Sequence, residues 1–246
     1  MPPYHWWRTV FFLIPAITLY TIVLGTLSIG STFFETRGYF AHRCARMWSW
    51  LILRTTGVRV DVEGLERLEP RKTYVFVANH QSHYDTPVVF THLPYQLRII
   101  AKESLGTFPF IGWHLRRTGH MLVDRRHPDR STIFRWAGEL TSRGLSLIVY
   151  PEGTRSADGR VARFKGGSFY LALEAGLPIV PLSIVGTRRV MPKGRLAAHP
   201  ARVRLVVHQP IDTAGLSGAH AKEFGERVRQ IISPIVDADG AVSSRA

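Results

Sequence analysis

The feature that most constrains this chain is a run, residues 9–34, that carries no formal charge. As a straight helix the run is ~39 Å long, against a bilayer hydrocarbon core of about 30 Å. Pro15, Gly25 and Gly30 interrupt it, so a kinked spanning helix and a re-entrant pair of shorter helices both fit. A signal peptide is disfavoured, because the run is too long and no clean Ala-x-Ala site follows it. The run therefore predicts membrane association.

The balance of charge indicates anionic partners. Lysine and arginine together number 32 against 18 acidic residues, which gives a formal net charge of +14 and a pI near 10.7. Such a surface suits nucleic acid, anionic lipid headgroups or phosphorylated substrates. Tryptophans flank the uncharged run, as membrane anchors do, which favours lipid and predicts no nucleic-acid partner. These residues are Trp6, Trp7, Trp48 and Trp50. A non-catalytic basic protein that binds a membrane or nucleic acid is the alternative from another class.

Arginines are distributed unevenly about the uncharged run. Arg8 is the only permanently charged side chain before it. The arginines that follow are Arg37, Arg43, Arg46 and Arg54. This excess predicts that the downstream residues lie in the cytoplasm, on the inner face of the cell inner membrane. Residues 37–54 mix arginines with aromatic and aliphatic side chains, so an interfacial helix and a second core helix both remain open.

Strand and helix patterns alternate in the rest of the chain. Strands are predicted at 58–62, 74–78, 97–101, 121–123, 145–150, 179–185 and 203–207. Helices are predicted at 86–92, 129–143, 169–175 and 224–236, and residues 108–113 form an apolar turn. This alternation predicts an α/β domain with a mainly parallel central sheet flanked by helices. We expect an amino-terminal membrane segment at 1–55, the α/β domain at 56–236 and a disordered tail at 237–246.

A polar stretch directly follows the buried strand predicted at 74–78. It contains His80 and Asp85, which would point apart on a regular helix because they lie five positions apart. They can cooperate only if His80 lies in the strand-to-helix turn and Asp85 lies just inside the helix. In that geometry a carboxylate orients an imidazole base, and backbone amides of the turn are a candidate oxyanion hole. A polar turn with a satisfied histidine, and less favourably a metal site, are the alternatives.

Cations also follow predicted strands. Lys102 comes after one strand and Arg125 after the next, while the loop 151–156 contains Glu152 and Arg155. In a parallel sheet such positions converge at one edge, where a phosphate could bind. Lys165 lies in a Phe-Lys-Gly-Gly sequence that permits close approach of a ligand.

Other catalytic arrangements fit the sequence poorly. Cys44 is the only cysteine, which excludes a disulfide framework and a Cys-rich zinc site within one chain. We find no second cluster with metal-ligand spacing, so no metal is expected. There is no Gly-x-Ser-x-Gly elbow either, so the attacking hydroxyl is expected to belong to the substrate.

Four blocks in order resemble the glycerolipid acyltransferases, the 1-acylglycerol-3-phosphate acyltransferase family. Residues 79–85, Asn-His-Gln-Ser-His-Tyr-Asp, contain its His-x4-Asp motif. Residues 119–125 are similar to its second block, although His120 stands where a β-branched or small residue is more usual. Residues 150–156, Tyr-Pro-Glu-Gly-Thr-Arg-Ser, resemble its third block with tyrosine for phenylalanine, and residues 180–184 resemble its fourth.

The resemblance implies the glycerolipid acyltransferase fold and transfer of an acyl group from acyl-CoA or acyl-ACP to lysophosphatidic acid. It implies His80 as general base and Asp85 as its orienter. Substrate would be bound by Lys102, Arg125, Glu152, Gly153, Thr154 and Arg155. No cofactor is implied, and the expected partners are a lysophospholipid, an acyl thioester, the membrane and acyl carrier protein. Another lysolipid, such as a lyso-ornithine lipid, is an alternative acceptor.

Overall fold

A computed structural model describes residues 3–35, 37–124 and 130–243. The strands are β1 (Arg59–Glu63), β2 (Val75–Ala78), β3 (Leu97–Lys102), β4 (Met121–Val123), β5 (Ser146–Val149), β6 (Ile179–Val185) and β7 (Arg202–Val207). The helices are α1 (Tyr4–Arg8), α2 (Ile14–Ser31), α3 (Tyr39–Thr56), α4 (Asp85–His92), α5 (Ile111–Arg117), α6 (Arg130–Ser142), α7 (Gly167–Glu174), α8 (Thr187–Val190) and α9 (Ala221–Ser243). A π-helical turn (Thr9–Leu13) joins α1 to α2, and 3-10 turns occupy Leu65–Arg67, Glu103–Thr107 and Gly218–His220.

Within these residues the strands form one seven-stranded sheet in the order β1-β7-β6-β2-β5-β3-β4. Every neighbouring pair is parallel except β6 and β7, which are antiparallel. The connection between β6 and β7 contains only the short α8, so β7 returns beside β6 without a crossover helix. The predicted mainly parallel sheet flanked by helices is confirmed.

The centre of the sheet is buried on both faces. All residues of β2, β5 and β6 are buried, as expected for inner strands of a parallel sheet. One apolar cluster joins Phe76 to Ile52 of α3 and Val88 of α4. The other joins Val77 to Phe169 of α7 and residues of α9. Because β2, β5 and β3 are adjacent and parallel, their carboxyl ends meet at one edge of the sheet.

A continuous helical segment, Tyr4–Ser31, precedes the sheet and is long and apolar enough to cross a membrane. Hydrogen bonds nevertheless attach it to the rest of the protein along its length. Arg8 donates to two carbonyl oxygens at the end of α3 over 2.9 and 2.8 Å, and Trp48 Nε1 donates to Thr21 Oγ1 over 2.9 Å. Near its last turn, Ser28 Oγ lies 2.6 Å from His114 Nδ1 of α5. The helix therefore lies along the α/β domain.

Helix α3 packs against α2 and presents two different faces. Its inner face is buried and includes Ala41, Cys44, Ser49, Ile52 and Leu53. Its outer face exposes Tyr39, Phe40, Met47 and Trp50. Both interpretations of residues 37–54 thus hold in part, because one side belongs to the core while the other presents aromatic side chains outward. The turn before α3 is held by the buried Arg98, which donates to the carbonyl oxygens of Arg37 and Gly38.

Two sequence-based expectations are wrong in part. The turn predicted within residues 108–113 lies at residues 108–110, but the segment continues as helix α5. The tail expected to be disordered from Asp237 is helical through Ser243, the last residue described. Tertiary contacts stabilise this helix: Asp237 accepts a hydrogen bond from the Val161 N–H over 2.8 Å. Asp239 forms an ion pair with Arg189.

Three buried histidines near α3 and α5 should make the fold acid-sensitive. Burial, aided by nearby arginines, lowers the pKa of His42 to about 3 and that of His114 to about 4, and the pKa of His120 well below 6.5. Below pH 6.5 the unfolded chain therefore binds more protons than the folded one, and stability falls until the folded-state pKa values are reached.

We expect His42→Leu to flatten this pH dependence. Removing one such histidine should reduce the slope of unfolding free energy against pH by about 1.4 kcal/mol per unit between pH 6 and 4. Denaturant unfolding in detergent micelles at several pH values measures the slope. His92→Leu, a change outside the buried group, is the control, and an unchanged slope in His42→Leu would contradict the assignment.

Candidate active site

The turn between β2 and α4 is fixed to the strands on both sides. Asn79 donates through Nδ2 to the Ile184 carbonyl oxygen over 2.9 Å, and its Oδ1 accepts from the Ile184 N–H over 2.8 Å. On the other side, the Ser156 N–H donates to the His80 carbonyl oxygen over 2.8 Å. These bonds join the turn to β6 and to the loop after β5, so the position of His80 is determined by the sheet.

His80 and Asp85 form the pair that their spacing predicts. Asp85 is the first residue of α4 and is fully buried, and its Oδ2 lies 2.7 Å from His80 Nδ1. Because an ionised carboxylate only accepts, Nδ1 carries the hydrogen and Nε2 of the neutral ring is a free acceptor. The side chain of His80 is 18% exposed, and no hydrogen bond of the described residues occupies Nε2. The imidazole is thus arranged as a base.

Asp85 is held by further donors. Its Oδ2 accepts from the N–H groups of Gln81 and Ser82 over 2.7 and 2.9 Å, and its Oδ1 accepts from Thr187 Oγ1. Thr187 is fully buried at the start of α8, just after β6. Sequence reasoning missed Thr187, since no local pattern relates it to the motif. The N–H groups of His80, Gln81 and Ser82 already donate to carboxylates, so an oxyanion hole at these three amides is excluded.

The loop after β5 also contacts His80. The ring of Tyr150 stacks on His80 with centroids 4.4 Å apart, and its hydroxyl lies 3.2 Å from Thr86 Oγ1. Glu152 accepts from the His80 N–H over 2.7 Å and from the Ala162 N–H over 3.0 Å. Glu152 is buried, and burial raises its pKa to about 7. Its carboxylate therefore holds the turn, and its role in binding substrate stays a prediction.

Cations gather on the outer part of this loop. Thr154 Oγ1 accepts a hydrogen bond from Lys193 Nζ over 3.1 Å. Gly153 has a φ of +72°, and a Cβ there would lie 3.0 Å from Lys165 Nζ. The Arg155 guanidinium lies close enough to contribute, after burial, to a lowered pKa of His83. Lys193 is a site cation that sequence reasoning missed, because it follows α8 and not a strand.

For the two remaining predicted cations, the described residues give no contact to the site. Lys102 is exposed at the carboxyl end of β3, on the same edge of the sheet as His80. Arg125 lies outside the described residues. The substrate-binding roles of Lys102, Arg125, Gly153, Thr154 and Arg155 stay predictions.

Two apolar cavities meet at His83, which belongs to the same turn as His80. The larger, of about 320 Å³, lies among α2, α3, α4 and α5 and reaches Thr86. The smaller, of about 250 Å³, lies beneath the π-turn and reaches Met191 and Leu196. His83 and Trp48 line both cavities, so Trp48 divides them and His83 stands where they converge. His83, which the sequence treats as a variable position of the motif, therefore belongs to the wall of the site.

These features define an α/β protein with a long apolar amino-terminal helix, in which a carboxylate-oriented imidazole lies in the same turn as a residue that lines two apolar cavities. A family model described as Acyltransferase matches residues 59–185, which is more than half of the chain. The chain therefore belongs to the acyltransferase family.

Individual relatives agree with this assignment. The chain is 33% identical over 202 residues to the chloroplastic 1-acyl-sn-glycerol-3-phosphate acyltransferase BAT2 of Brassica napus, covering 80% of this chain but only 58% of that protein. It is 27% identical to the 1-acyl-sn-glycerol-3-phosphate acyltransferase of Pseudomonas aeruginosa, covering 92% and 89%. The crystal structure of the acyltransferase PlsC of Thermotoga maritima matches with a TM-score of 0.73 at 29% identity, covering 90% and 94%.

Substitution of Thr187 tests how the buried carboxylate is held. Thr187→Val keeps the shape but leaves Asp85 Oδ1 without this donor, so the free energy of unfolding should fall by about 1–3 kcal/mol. Thr187→Ser keeps the hydroxyl and should retain most of the stability. Chemical denaturation of both variants in micelles measures the difference. A loss of stability in Thr187→Ser with none in Thr187→Val would show that packing of the methyl group matters at this position and the hydroxyl does not.

Proposed function

We propose that this protein transfers a fatty acyl group from a thioester to the free hydroxyl of 1-acyl-sn-glycerol-3-phosphate, giving phosphatidic acid. The observation that carries the proposal is His80 Nε2, open and oriented by Asp85, in a turn whose His83 lines two apolar cavities and next to a loop with a group of cations. The names of the relatives support the choice of acceptor. Acyl-CoA and acyl-ACP are both proposed donors, and no cofactor is needed because the thioester is already activated.

The proposed chemistry is direct transfer with one base. His80 Nε2 takes the proton of the acceptor hydroxyl as its oxygen attacks the thioester carbonyl carbon. Asp85 stabilises the imidazolium that forms, and the proton then goes to the departing thiolate. The ester bond forms and the carbon–sulfur bond breaks without a covalent enzyme intermediate. Charge on the carbonyl oxygen is stabilised by donors other than the turn amides, which already bind Asp85 and Glu152.

The cations beside the loop after β5 suit the phosphate of the acceptor. We assign this role to Arg155, Lys165 and Lys193, with Lys102 and Arg125 as further candidates. Arg155 offers a planar fork and the lysines are mobile point charges, a combination that binds a dianion well. Met191 and Leu196 flank Lys193 in sequence and line the smaller cavity. The acyl chain of the acceptor is therefore assigned to the smaller cavity, which leaves the larger one for the donor acyl group.

The apolar helices suit attachment to one leaflet. Exposed residues of the amino-terminal helix and its turn include Phe11, Phe12, Leu19, Val23, Leu27, Phe33 and Phe34. Because hydrogen bonds near both ends hold this helix against the domain, we propose that α2 and α3 dip into one leaflet and do not span the bilayer. The cavities would then open to lipid. The arginine distribution supports the cytoplasmic face of the inner membrane.

Replacing His80 tests the base. His80→Ala should lower the rate of thiol release from acyl-CoA with lysophosphatidic acid by about 10²- to 10⁴-fold, while vesicle binding is kept. His92→Ala changes a histidine at the other end of α4 and should keep the wild-type rate. The assay is repeated with acyl-ACP, which decides the donor. A wild-type rate in His80→Ala would contradict the mechanism, and absence of turnover with either donor would contradict the function.

Narrowing one cavity at a time tests the assignment of the chains. Ala45 lines the larger cavity and Ile17 the smaller. Ala45→Leu should shift the preference towards shorter donor acyl chains and leave the acceptor preference unchanged. Ile17→Phe should do the reverse. Competition assays with mixed chain lengths measure both preferences. The opposite pattern would exchange the two assignments.

A further inference from the structure

The wall of the larger cavity away from the reactive turn contains a histidine, His120, just before β4. Its side chain belongs to a residue only 8% exposed, and its Nδ1 accepts a hydrogen bond from the Ile99 N–H over 3.1 Å. An Nδ1 that accepts cannot carry a hydrogen in the neutral ring, so the hydrogen resides on Nε2. No hydrogen bond within the described part of the chain uses this Nε2–H. The Nε2–H donor of this largely buried ring is therefore available to a group that occupies the cavity.

A second polar pair lines the same wall. Ser28 of α2 is 1% exposed, and its Oγ lies 2.6 Å from Nδ1 of His114 on α5. The rings of His114 and His120 are 5.4 Å apart, and all of these residues line the larger cavity. An alkyl chain cannot form hydrogen bonds with these groups. Hydroxyl and imidazole here form a small polar patch in a cavity that is otherwise apolar.

The patch is polar but uncharged. Burial and the guanidinium of Arg98 lower the pKa of His114 to about 4, and burial with His114, Arg98 and His42 lowers that of His120. Both rings are neutral at physiological pH. A buried carboxylate or phosphate would find no counter-charge in these imidazoles, whereas a neutral hydroxyl can both accept from His120 Nε2 and donate to a neighbour.

We propose that the wall formed by Ser28, His114 and His120 is a subsite for a hydroxyl group on the donor acyl chain. The enzyme would prefer acyl thioesters hydroxylated part-way along the chain over plain chains of equal length. This inference rests on the proposed acyl transfer and on the assignment of the donor chain to the larger cavity. A plain chain must leave the His120 donor unpaired, which is the kind of loss that gives strong discrimination.

The position of the hydroxyl follows from helix α4. Thr86 lies at the end of the cavity near His80, and Phe90 lies one helical turn further. The ring of Phe90 stacks at 6.4 Å on that of His120. The patch is thus separated from the thioester by more than a helical turn, so a hydroxyl next to the thioester cannot reach it. An isomer hydroxylated on the β carbon is therefore the matched control substrate.

The test is a competition assay with the full chain in lipid vesicles. Donors are a saturated long-chain acyl-CoA and its monohydroxylated isomers, one on the β carbon and the others progressively further along. We expect kcat/KM for one of the distal isomers to exceed that of the plain chain by roughly 10-fold, and no such gain for the β isomer. His120→Asn keeps an acceptor for the Ile99 N–H, loses the Nε2–H and should abolish the preference. Phe90→Leu reshapes the same wall without removing the donor and should retain it.

A binding measurement separates this inference from the proposed function. Thioether analogues of the plain and hydroxylated acyl-CoAs should raise the melting temperature, the distal hydroxyl analogue most in the wild type but not in His120→Asn. Equal shifts and equal kcat/KM for plain and hydroxylated chains would overturn the subsite, as would a preference that survives His120→Asn. Absence of transfer from every donor would refute the proposed function alone. The shifts in melting temperature would still show whether the subsite binds a hydroxylated chain.

Discussion

The site depends on one buried charge, the carboxylate of Asp85. A carboxylate without water or hydrogen-bond donors is strongly unfavourable inside a protein, so donors must be brought to it from several parts of the chain. The ring of His80 and the N–H groups of Gln81 and Ser82 come from the turn itself, while Thr187 comes from beyond β6. The central strands must therefore be adjacent before the base can be oriented, and folding of the sheet and assembly of the site are the same event.

The amino-terminal helices take part in the site as well as in membrane attachment. They form one side of both apolar cavities, and Trp48 of α3 divides the two spaces. In the proposed function, a hydrocarbon chain would therefore lie between these helices and the turn that contains His83. The outer faces of the same helices remain apolar and exposed. The same two helices would thus bury acyl chains on their inner side and contact lipid on their outer side. Both roles require the helices to stay against the domain, and hydrogen bonds hold them there along their length.

Most of the fold could be predicted from the sequence because its signals are local. Apolar runs located the strands to within about one or two residues, and alternation with helices indicated the parallel sheet. The failures share a cause, since α5, α8 and the last turns of α9 are stabilised by contacts that are distant in sequence. Asp237, for example, bonds to the N–H of Val161. No pattern within one segment reports such a partner.

For the site, the sequence by itself determined how His80 and Asp85 pair, because a five-residue spacing after a buried strand leaves one geometry in which they meet. Only the tertiary structure decided the surroundings. It showed that Glu152 accepts from the backbone of the turn, added Thr187 and Lys193, and placed His83 where two cavities meet. The physical reason is that hydrogen bonds and cavities form only when distant segments pack together. The chemical type of each side chain and the spacing between residues can be read from the sequence alone.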